Sequence, residues 1–244
     1  MSEMPKSTFD STEVKKFADL AANWWNCDGP LKQLHLMNRA RIPYIRTILQ
    51  QEKLISGDRL DQLDILDVGC GGGILSVPLS RLGANVTGLD ACAENVQIAK
   101  DYAKHNDHHI NYVTSTIEDF AKERVSYNVV CTLEIVEHVA DLNLFLESVA
   151  QVAKPGGIIF ISTINKTFKS YMQAILIAEY LLKMVPRGGH DWNKFVEPSA
   201  IVDILSRSNC SFIEMKGMKF NPLTTEWYLD RNVDVNYIMA LRKL

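Results

Sequence analysis

The sequence predicts an α/β protein with a doubly wound, mostly parallel sheet of seven strands. From Asp64 onward, short β-rich runs alternate with helical patterns, as in sheets that helices cover on both faces. The first of these runs ends in a glycine-rich turn, LDVGCGGG. Two β-rich runs close the chain with no helical pattern between them, which predicts an antiparallel C-terminal edge.

The predicted elements follow one another along the chain. The first five strands are DILDVG, NVTGLD, INYVTS, YNVVCTLE and, after the turn KPGG, GGIIFIST. The helices are ILSVPLSRLG, AENVQIAKDYAKH, LNLFLESVAQVA and PSAIVDILSRS. Two last strands, SFIEMKGMKF and VDVNYIMALRKL, complete the seven.

Composition narrows the classes of function. The chain of 244 residues carries 26 basic and 29 acidic side chains, so it has no overall attraction for nucleic acid. Its five cysteines show no CxxC pair, which predicts free thiols. The sequence contains no uncharged apolar run of about 18 residues, the length that a membrane span needs. Its first 17 residues show no export or import signal.

The turn after the first strand holds four glycines in five positions, Gly69 and Gly71–Gly73. In doubly wound sheets the first strand-to-helix turn contacts the ligand, so nicotinamide dinucleotides and S-adenosylmethionine are the two candidates. The dinucleotide pattern G-x-G-x-x-G requires glycine at position 74, which is Ile74 here. S-adenosylmethionine has no pyrophosphate and needs a loop against which its methionine and ribose portions can lie, so the turn favours this cofactor.

Two aspartates are close to this turn. Asp90 ends the second predicted strand, where a carboxylate can accept hydrogen bonds from both ribose hydroxyls. A cap on the next helix is the structural alternative for this residue. Asp67 lies within the first strand, and because a buried carboxylate requires partners, we expect it to orient the glycine turn or to contact the amino group of the ligand.

With these features the chain resembles the class I S-adenosylmethionine-dependent methyltransferases, which have a Rossmann-like fold, and within them the O-methyltransferases of ubiquinone biosynthesis. The glycine turn indicates only the superfamily. The stretches NWW…LH..N..R and VPRGGHDW…F..P narrow the resemblance to the second group. Further matching segments, among them LEIVEHVADL, KPGGIIFISTINKT and VDVNY, extend the resemblance over almost the whole chain.

The resemblance implies methylation of a catechol hydroxyl on a polyprenylated benzene ring, at two stages of the pathway, with S-adenosyl-L-methionine as methyl donor. The family's cofactor-contact positions are matched by Arg41, Gly69, Asp90 and Leu133. Leu133 replaces the methionine of some members by a similarly apolar residue. With the two residues argued from the turn, the predicted cofactor-binding set is Arg41, Asp67, Gly69, Gly71, Asp90 and Leu133.

The stretch after the fourth predicted strand contains Glu134, Glu137 and His138. If this stretch is helical, the three side chains lie on one face. His138 can then accept the phenolic proton as a general base, or a divalent cation held by all three can stabilise the phenolate. Spacing alone does not decide between these routes and a structural role. The resemblance favours the cation, commonly Mg²⁺, with Glu137 and His138 as catalytic residues.

We expect one methyltransferase domain over residues 1–244. Its parts are a helical cap (1–60), the cofactor-binding half (64–163), an amphipathic insertion (166–198) and a C-terminal helix with edge strands (199–244). Within the insertion, residues 166–187 are apolar except for one polar arc, and lysines and an arginine flank them. This pattern suits a helix lying on a membrane surface or one packed on a partner subunit. A bilayer-resident substrate favours the membrane surface.

Two alternatives to this function remain: a methyltransferase for a soluble phenol, and a non-catalytic subunit of a biosynthetic complex. Partners implied by the resemblance are the polyprenylated catechol and other proteins of ubiquinone biosynthesis. STINKT and EVKKFADLA are similar to the mitochondrial branch of the family, which predicts a peripheral location on the matrix side of the mitochondrial inner membrane. The alternative location is the bacterial cytoplasm or the surface of the bacterial inner membrane.

Overall fold

The computed structural model describes residues 7, 8, 10, 23–171 and 192–244. Within these residues, eight strands form one mixed sheet in the order β3-β2-β1-β4-β5-β8-β6-β7. The strands are β1 (Asp64–Val68), β2 (Asn85–Asp90), β3 (Asn111–Thr114), β4 (Tyr127–Leu133), β5 (Ala153–Ile164), β6 (Cys210–Asn221), β7 (Glu226–Asp230) and β8 (Asn236–Lys243). Strands β1 to β5 are parallel, whereas β8 is antiparallel to both β5 and β6.

The helices connect these strands or cover their faces. The longer ones are α1 (Lys32–Gln51), α2 (Ser76–Arg81), α3 (Ala93–His105), α4 (Ile117–Phe120), α5 (Leu142–Gln151) and α6 (Pro198–Arg207), and a single helical turn, Phe168–Ser170, follows β5. Helix α5 begins where the Asp141 carboxylate accepts a hydrogen bond from the Leu144 amide, and α6 begins with Pro198, whose missing N–H is not needed in the first turn. A short 3-10 turn, Val136–His138, follows β4.

The core lies on both faces of the sheet because side chains alternate along each strand. In β5, Ile159 and Ile161 join a cluster that includes apolar residues of α5 and α6. Their neighbours Ile158 and Phe160 face the opposite side, in a cluster that includes residues of α1 and α2. The order of the strands reverses between β1 and β4, which makes the carboxyl ends of these strands the expected ligand edge.

The predicted doubly wound α/β class, its parallel strands and its antiparallel C-terminal edge are confirmed. The predicted strand number is wrong, because the structure has eight strands. The additional strand is β7, which pairs antiparallel with β6 in a stretch for which the sequence predicts a loop. Its Trp227 indole N–H donates to Gln33 Oε1 of α1 at 2.9 Å, so a distant helix helps to hold it. The turn KPGG lies inside β5, at a register shift opposite Tyr127–Val129.

Two predicted segments lie partly outside the described residues. Of the helical cap at 1–60, the structure describes residues 7, 8, 10 and 23–60, and these include α1. Of the insertion at 166–198, it describes 166–171 and 192–198, so most of the amphipathic segment lies outside. In the part of the chain that is described, no helix has the length and apolar character needed to cross a membrane.

Candidate active site

The glycine turn is tied to the end of β2. The Gly69 and Cys70 amides both donate to the Leu89 carbonyl, at 2.7 and 3.0 Å. The Gly71 amide donates to Asp90 Oδ2 at 2.8 Å. Gly69 and Gly71 have φ of +72° and +53°, a region that favours glycine. The turn and the Asp90 carboxylate therefore form one hydrogen-bonded unit at the reversal of strand order.

Asp90 also supports the start of α3. Its Oδ1 accepts from the amide of Cys92 at 2.8 Å. Asp90 therefore lies at the end of β2 as predicted, whereas the alternative in which Asp90 caps the helix is wrong, because Cys92 is the N-cap residue of α3. Burial raises the pKa of Asp90, and hydrogen bonds from Cys92, Gly71 and Asn95 oppose that rise. Each of the two Asp90 carboxylate oxygens accepts from one backbone amide. Each oxygen therefore retains a lone pair that can accept a hydrogen bond from a ligand.

Asp67 lies beneath the turn and is buried. The Ser76 hydroxyl donates to its Oδ2 at 2.6 Å, which fixes the first turn of α2 to the end of β1. Desolvation raises the pKa of Asp67 to about 6, although the Ser76 bonds and the Arg41 charge act in the opposite direction. These contacts attach Asp67 to α2, and its two predicted roles, orienting the glycine turn and contacting the amino group of a ligand, stay predictions.

Two tryptophans from the N-terminal segment cover the turn. A Cβ at Gly71 or Gly72 would overlap the Trp24 indole. The Trp25 indole N–H donates to the Gly72 carbonyl at 2.9 Å, and its ring stacks on Tyr102 of α3. The bare backbone at positions 71 and 72 therefore accommodates an indole of the protein itself, a contact that no pattern in the sequence indicates.

A buried ion pair joins α1 to the end of β4. Arg41 Nη2 lies 2.7 Å from Glu134 Oε1, and the two side chains are 4% and 16% exposed. The Ser162 hydroxyl of β5 donates to the same Glu134 oxygen at 2.7 Å. Glu134 has φ of +56°, a strained conformation that costs a non-glycine residue about 1–3 kcal/mol. The pair and the Ser162 bond hold the chain in this conformation.

Leu133 and Glu137, two further residues of the predicted site, lie on either side of Glu134 at the end of β4. The side chain of Ile135 packs where a Cβ at Gly69 would lie, and Leu133 is half-buried at the end of β4. Glu137 is buried and accepts a hydrogen bond from Thr163 Oγ1 of β5 at 2.8 Å. Its burial raises the pKa of Glu137 to about 7; the His138 charge lowers that pKa and the Glu134 charge raises it.

A cleft of about 720 Å³ opens beside Glu137. This volume lies within the range of small-molecule sites. Its walls combine apolar residues around the Glu137 turn and near α6 with charged side chains, which include two lysines and three carboxylates. The residues that form these walls include Val136, Val139, Leu142, Phe195, Val196 and Lys166.

The predicted three-ligand metal site is not found in this geometry. Among the described residues, no three histidine, cysteine, aspartate or glutamate side chains are placed to hold one metal ion. Glu134 is bound by Arg41 and Ser162, and Glu137 accepts from Thr163. The resemblance could not reveal this, because the competing partners come from α1 and β5. We therefore derive no step through a metal at Glu134, Glu137 and His138.

Sequence reasoning also missed the hydroxyl groups that hold the carboxylates. Ser162 and Thr163 interrupt an otherwise apolar run in β5, and both are fully buried. Polar residues inside a buried strand require hydrogen-bond partners. The position of these two residues in an apolar run could therefore have indicated that they contact polar groups. The sequence carried no comparable sign of which carboxylates they contact.

A family model described as a methyltransferase domain matches residues 37–214. The chain is 44% identical over 237 residues to the ubiquinone biosynthesis O-methyltransferase of Rickettsia typhi, covering 97% of this chain and 94% of that protein. The protein of the same name from Pelagibacter ubique is 43% identical, and the match covers 97% of this chain and 99% of that protein. The one from Bartonella tribocorum is 39% identical, and the match covers 100% of both chains.

Solved structures share the fold at much lower identity. Magnesium protoporphyrin IX methyltransferase from Synechocystis PCC 6803, solved with bound S-adenosylmethionine, has a TM-score of 0.61 at 16% identity, covering 98% of this chain and 100% of that one. The PH0226 protein of Pyrococcus horikoshii has a TM-score of 0.63 at 14% identity, covering 94% and 99%. The class I methyltransferase fold, with its Rossmann-like sheet, is therefore confirmed.

The contact between Trp24 and the glycine turn predicts a specific loss of stability. Gly72→Ala should lower the free energy of unfolding by about 1–3 kcal/mol, because the new methyl group overlaps the indole. In a Trp24→Ala background the same change should have little effect. Urea unfolding of the single and double variants measures both quantities.

Gly57→Ala is the matched control, since a Cβ there meets nothing within 4 Å. This substitution should leave the free energy of unfolding unchanged or raise it slightly. Equal losses from Gly72→Ala in the two backgrounds would contradict the packing of Trp24 on the turn.

Proposed function

The chain belongs to the ubiquinone biosynthesis O-methyltransferases, and from this membership we propose how its residues act. It is an S-adenosylmethionine-dependent O-methyltransferase. We propose a catechol hydroxyl of a polyprenylated ubiquinone precursor as its acceptor, at two steps of the pathway. The observation that carries the proposal is the unit formed by the glycine turn and Asp90, joined by the 2.8 Å bond from the Gly71 amide.

The cofactor is proposed to lie over the glycine turn. Asp90 would accept hydrogen bonds from its ribose hydroxyls. The methionine portion would lie along the backbone of Gly69 and Gly71, on the side of the turn that Ile135 and Trp24 do not cover. Arg41 and Leu133 complete the proposed contacts. Arg41 Nε is buried and has no hydrogen-bond partner among the described residues, which supports a ligand acceptor near that atom.

The reaction transfers a methyl group from sulfur to oxygen. The acceptor oxygen forms a bond to the methyl carbon while the bond from that carbon to sulfur breaks, and sulfur keeps the electron pair. A phenol with a pKa of about 10 must lose its proton for this step. We propose that the cleft lined by Glu137 holds the catechol ring. His138, the next residue of the same short turn, is proposed to accept the phenolic proton as general base, with Glu137 beside it.

Methyl transfer to a short-prenyl catechol tests this function. Wild-type protein should transfer the methyl group from S-adenosylmethionine. Glu137→Gln and His138→Gln should each lower kcat by about 10²- to 10⁴-fold, while the Kd of S-adenosylhomocysteine stays near the wild-type value. Because Glu134 is already paired with Arg41, activity should survive chelation. Mass spectrometry of the product measures the rates.

Three results would contradict parts of this proposal. Activity lost on chelation and restored by Mg²⁺, Mn²⁺ or Zn²⁺ would show that a cation takes part after all. Activity on small phenols alone, with none on prenylated catechols, would favour a soluble substrate. Absence of methyl transfer in every condition would favour a non-catalytic subunit.

We also propose that residues 166–187 contact a membrane surface. Support comes from their sequence, in which four basic residues accompany a mainly apolar segment, and from the apolar tail of the proposed acceptor. The middle of this segment lies outside the described residues.

The compartment, mitochondrial matrix side or bacterial inner-membrane surface, stays a prediction that cell fractionation can test. Association with other ubiquinone-biosynthesis proteins is likewise a proposal, and co-purification from the source cell can test it.

Aspartate substitutions test the membrane contact. Ile175→Asp and Leu182→Asp should abolish binding to anionic liposomes, because each places a charge on the apolar side of the segment. Both variants should still methylate a short-prenyl catechol. Leu223→Asp is the control, since Leu223 is 94% exposed and lies outside the segment. Undiminished co-sedimentation of the folded variants would contradict the proposal.

A further inference from the structure

Two polar side-chain atoms of α1 are buried and have no hydrogen-bond partner among the described residues. They are Asn38 Oδ1 and Arg41 Nε, and the two residues are 7% and 3% exposed. Buried polar groups in proteins are nearly always paired, so an unpaired one requires an explanation. The first of these atoms is an acceptor and the second is a donor.

The backbone beside the glycine turn fixes the orientation of the Asn38 amide. Its Nδ2 donates to the Ile74 carbonyl at 3.0 Å, and Ile74 directly follows Gly73. Because a carbonyl only accepts, the amide nitrogen must face Ile74 and the amide oxygen must face away from it. Asn95 shows the ordinary condition of a buried amide, since its Oδ1 accepts from the Trp24 indole N–H at 2.9 Å. In the described part of the chain, Asn38 Oδ1 has no such donor.

Arg41 follows Asn38 by three residues in α1. Both side chains therefore lie on one face of the helix, with their Cβ atoms about 5–6 Å apart. Arg41 Nη2 contacts Glu134 Oε1 at 2.7 Å and Met37 Sδ at 3.4 Å. Because the guanidinium is planar and rigid, these contacts also limit the direction in which its Nε–H points. The Nε–H is thus a donor that the protein holds in place.

The stretch of α1 from Asn38 to Arg41 is attached to both ends of the glycine turn. At one end, Asn38 is bonded to the residue that follows the glycines. At the other end, Arg41 is paired with Glu134, and the next residue, Ile135, packs against Gly69. The two unpaired atoms therefore belong to a segment that borders the proposed place of the methionine portion of the cofactor.

An α-amino acid has the two groups that these atoms lack. Its ammonium group offers N–H donors to an amide oxygen, and its carboxylate offers acceptors to a guanidinium N–H. Both groups are bonded to one carbon atom, so a single ligand can contact two side chains that are one helical turn apart. The adenine and ribose of S-adenosylmethionine carry no such pair of charges, so the match is to its methionine end.

We propose that Asn38 is a cofactor-binding residue: its Oδ1 accepts a hydrogen bond from the ammonium group of the methionine portion, and Arg41 Nε donates to the carboxylate of the same portion. This inference rests on the proposed function, because it takes the glycine turn as the site of that portion. An ammonium group has three N–H bonds, so the contact predicted for Asp67 is compatible with this one.

Ligands that lack one end of the amino acid test the inference. Calorimetry would measure the Kd of S-adenosylhomocysteine, of its analogues without the amino group or without the carboxylate, and of 5′-methylthioadenosine, which lacks both. Asn38→Leu should raise the Kd of S-adenosylhomocysteine about tenfold to a hundredfold, the range for a hydrogen bond to a charged group. It should bind the analogue without the amino group, and 5′-methylthioadenosine, at least as tightly as wild type does.

Arg41→Lys should give the complementary result. It keeps a positive charge beside Glu134 and removes the Nε–H. This variant should bind S-adenosylhomocysteine and the analogue without the amino group more weakly than wild type does, because both ligands retain the carboxylate. Its affinity for the analogue without the carboxylate should stay near the wild-type value.

Asn165→Leu is the matched control. Asn165 is 8% exposed, and its Nδ2 donates to the Val233 carbonyl at 3.0 Å. The substitution therefore removes the same kind of buried bond from an amide to a backbone carbonyl, at a position away from the glycine turn. This variant should bind all four ligands as wild type does. Urea unfolding checks that each variant is folded.

The outcomes separate the inference from the function on which it rests. Unchanged affinity of Asn38→Leu for S-adenosylhomocysteine would overturn the inference, and so would equal weakening for all four ligands, which indicates a general structural role. If Asn38→Leu does not fold, wild type decides: it should bind the analogue without the amino group about tenfold more weakly or worse, and equal affinity would overturn the inference. Failure of wild type to bind S-adenosylhomocysteine would overturn the proposed function as well.

Discussion

The buried ion pair between Arg41 and Glu134 is the interaction on which the arrangement of the site depends. It connects α1 to the end of β4, and the Ser162 bond adds β5 to the same carboxylate. Losing one partner would leave a buried charge, which costs about 3–5 kcal/mol. The pair also holds Glu134 at positive φ. In the residues that follow, the Ile135 side chain packs against Gly69, and Glu137 accepts a hydrogen bond from Thr163.

The charges at this edge suit a cationic ligand. Asp67, Asp90, Glu134 and Glu137 lie close enough that Asp90 raises the pKa of Asp67 and Glu134 raises the pKa of Glu137. Arg41 is paired with only one of these four carboxylates. S-adenosylmethionine carries a positive sulfonium, which a negative site stabilises. In the binding mode proposed above, transfer of the methyl group leaves a neutral sulfur, so those carboxylates that are ionised would hold the product less strongly than the cofactor.

The sequence predicted those features that depend on neighbouring residues. The bounds of α3 and the five parallel strands follow from local periodicity, and the Asp90 position follows from the strand that precedes it. Features that depend on distant partners were missed or wrong. Strand β7 is bonded to the distant helix α1. The metal site was predicted from the family resemblance, and nothing in the sequence shows that Arg41 pairs with Glu134. The Trp24 contact with Asn95 spans 71 positions, and no local pattern indicates it.

A double-mutant cycle on the ion pair is the most direct test of its central role. Urea unfolding would give the free energies of unfolding of wild type, Arg41→Met, Glu134→Leu and the double variant. We expect each single variant to lose about 3–5 kcal/mol, because an unpaired carboxylate or an unpaired guanidinium remains buried. The double variant should lose clearly less than the sum of the two. Additive losses would show that Arg41 and Glu134 act independently, and would contradict the dependence of the site on their pairing.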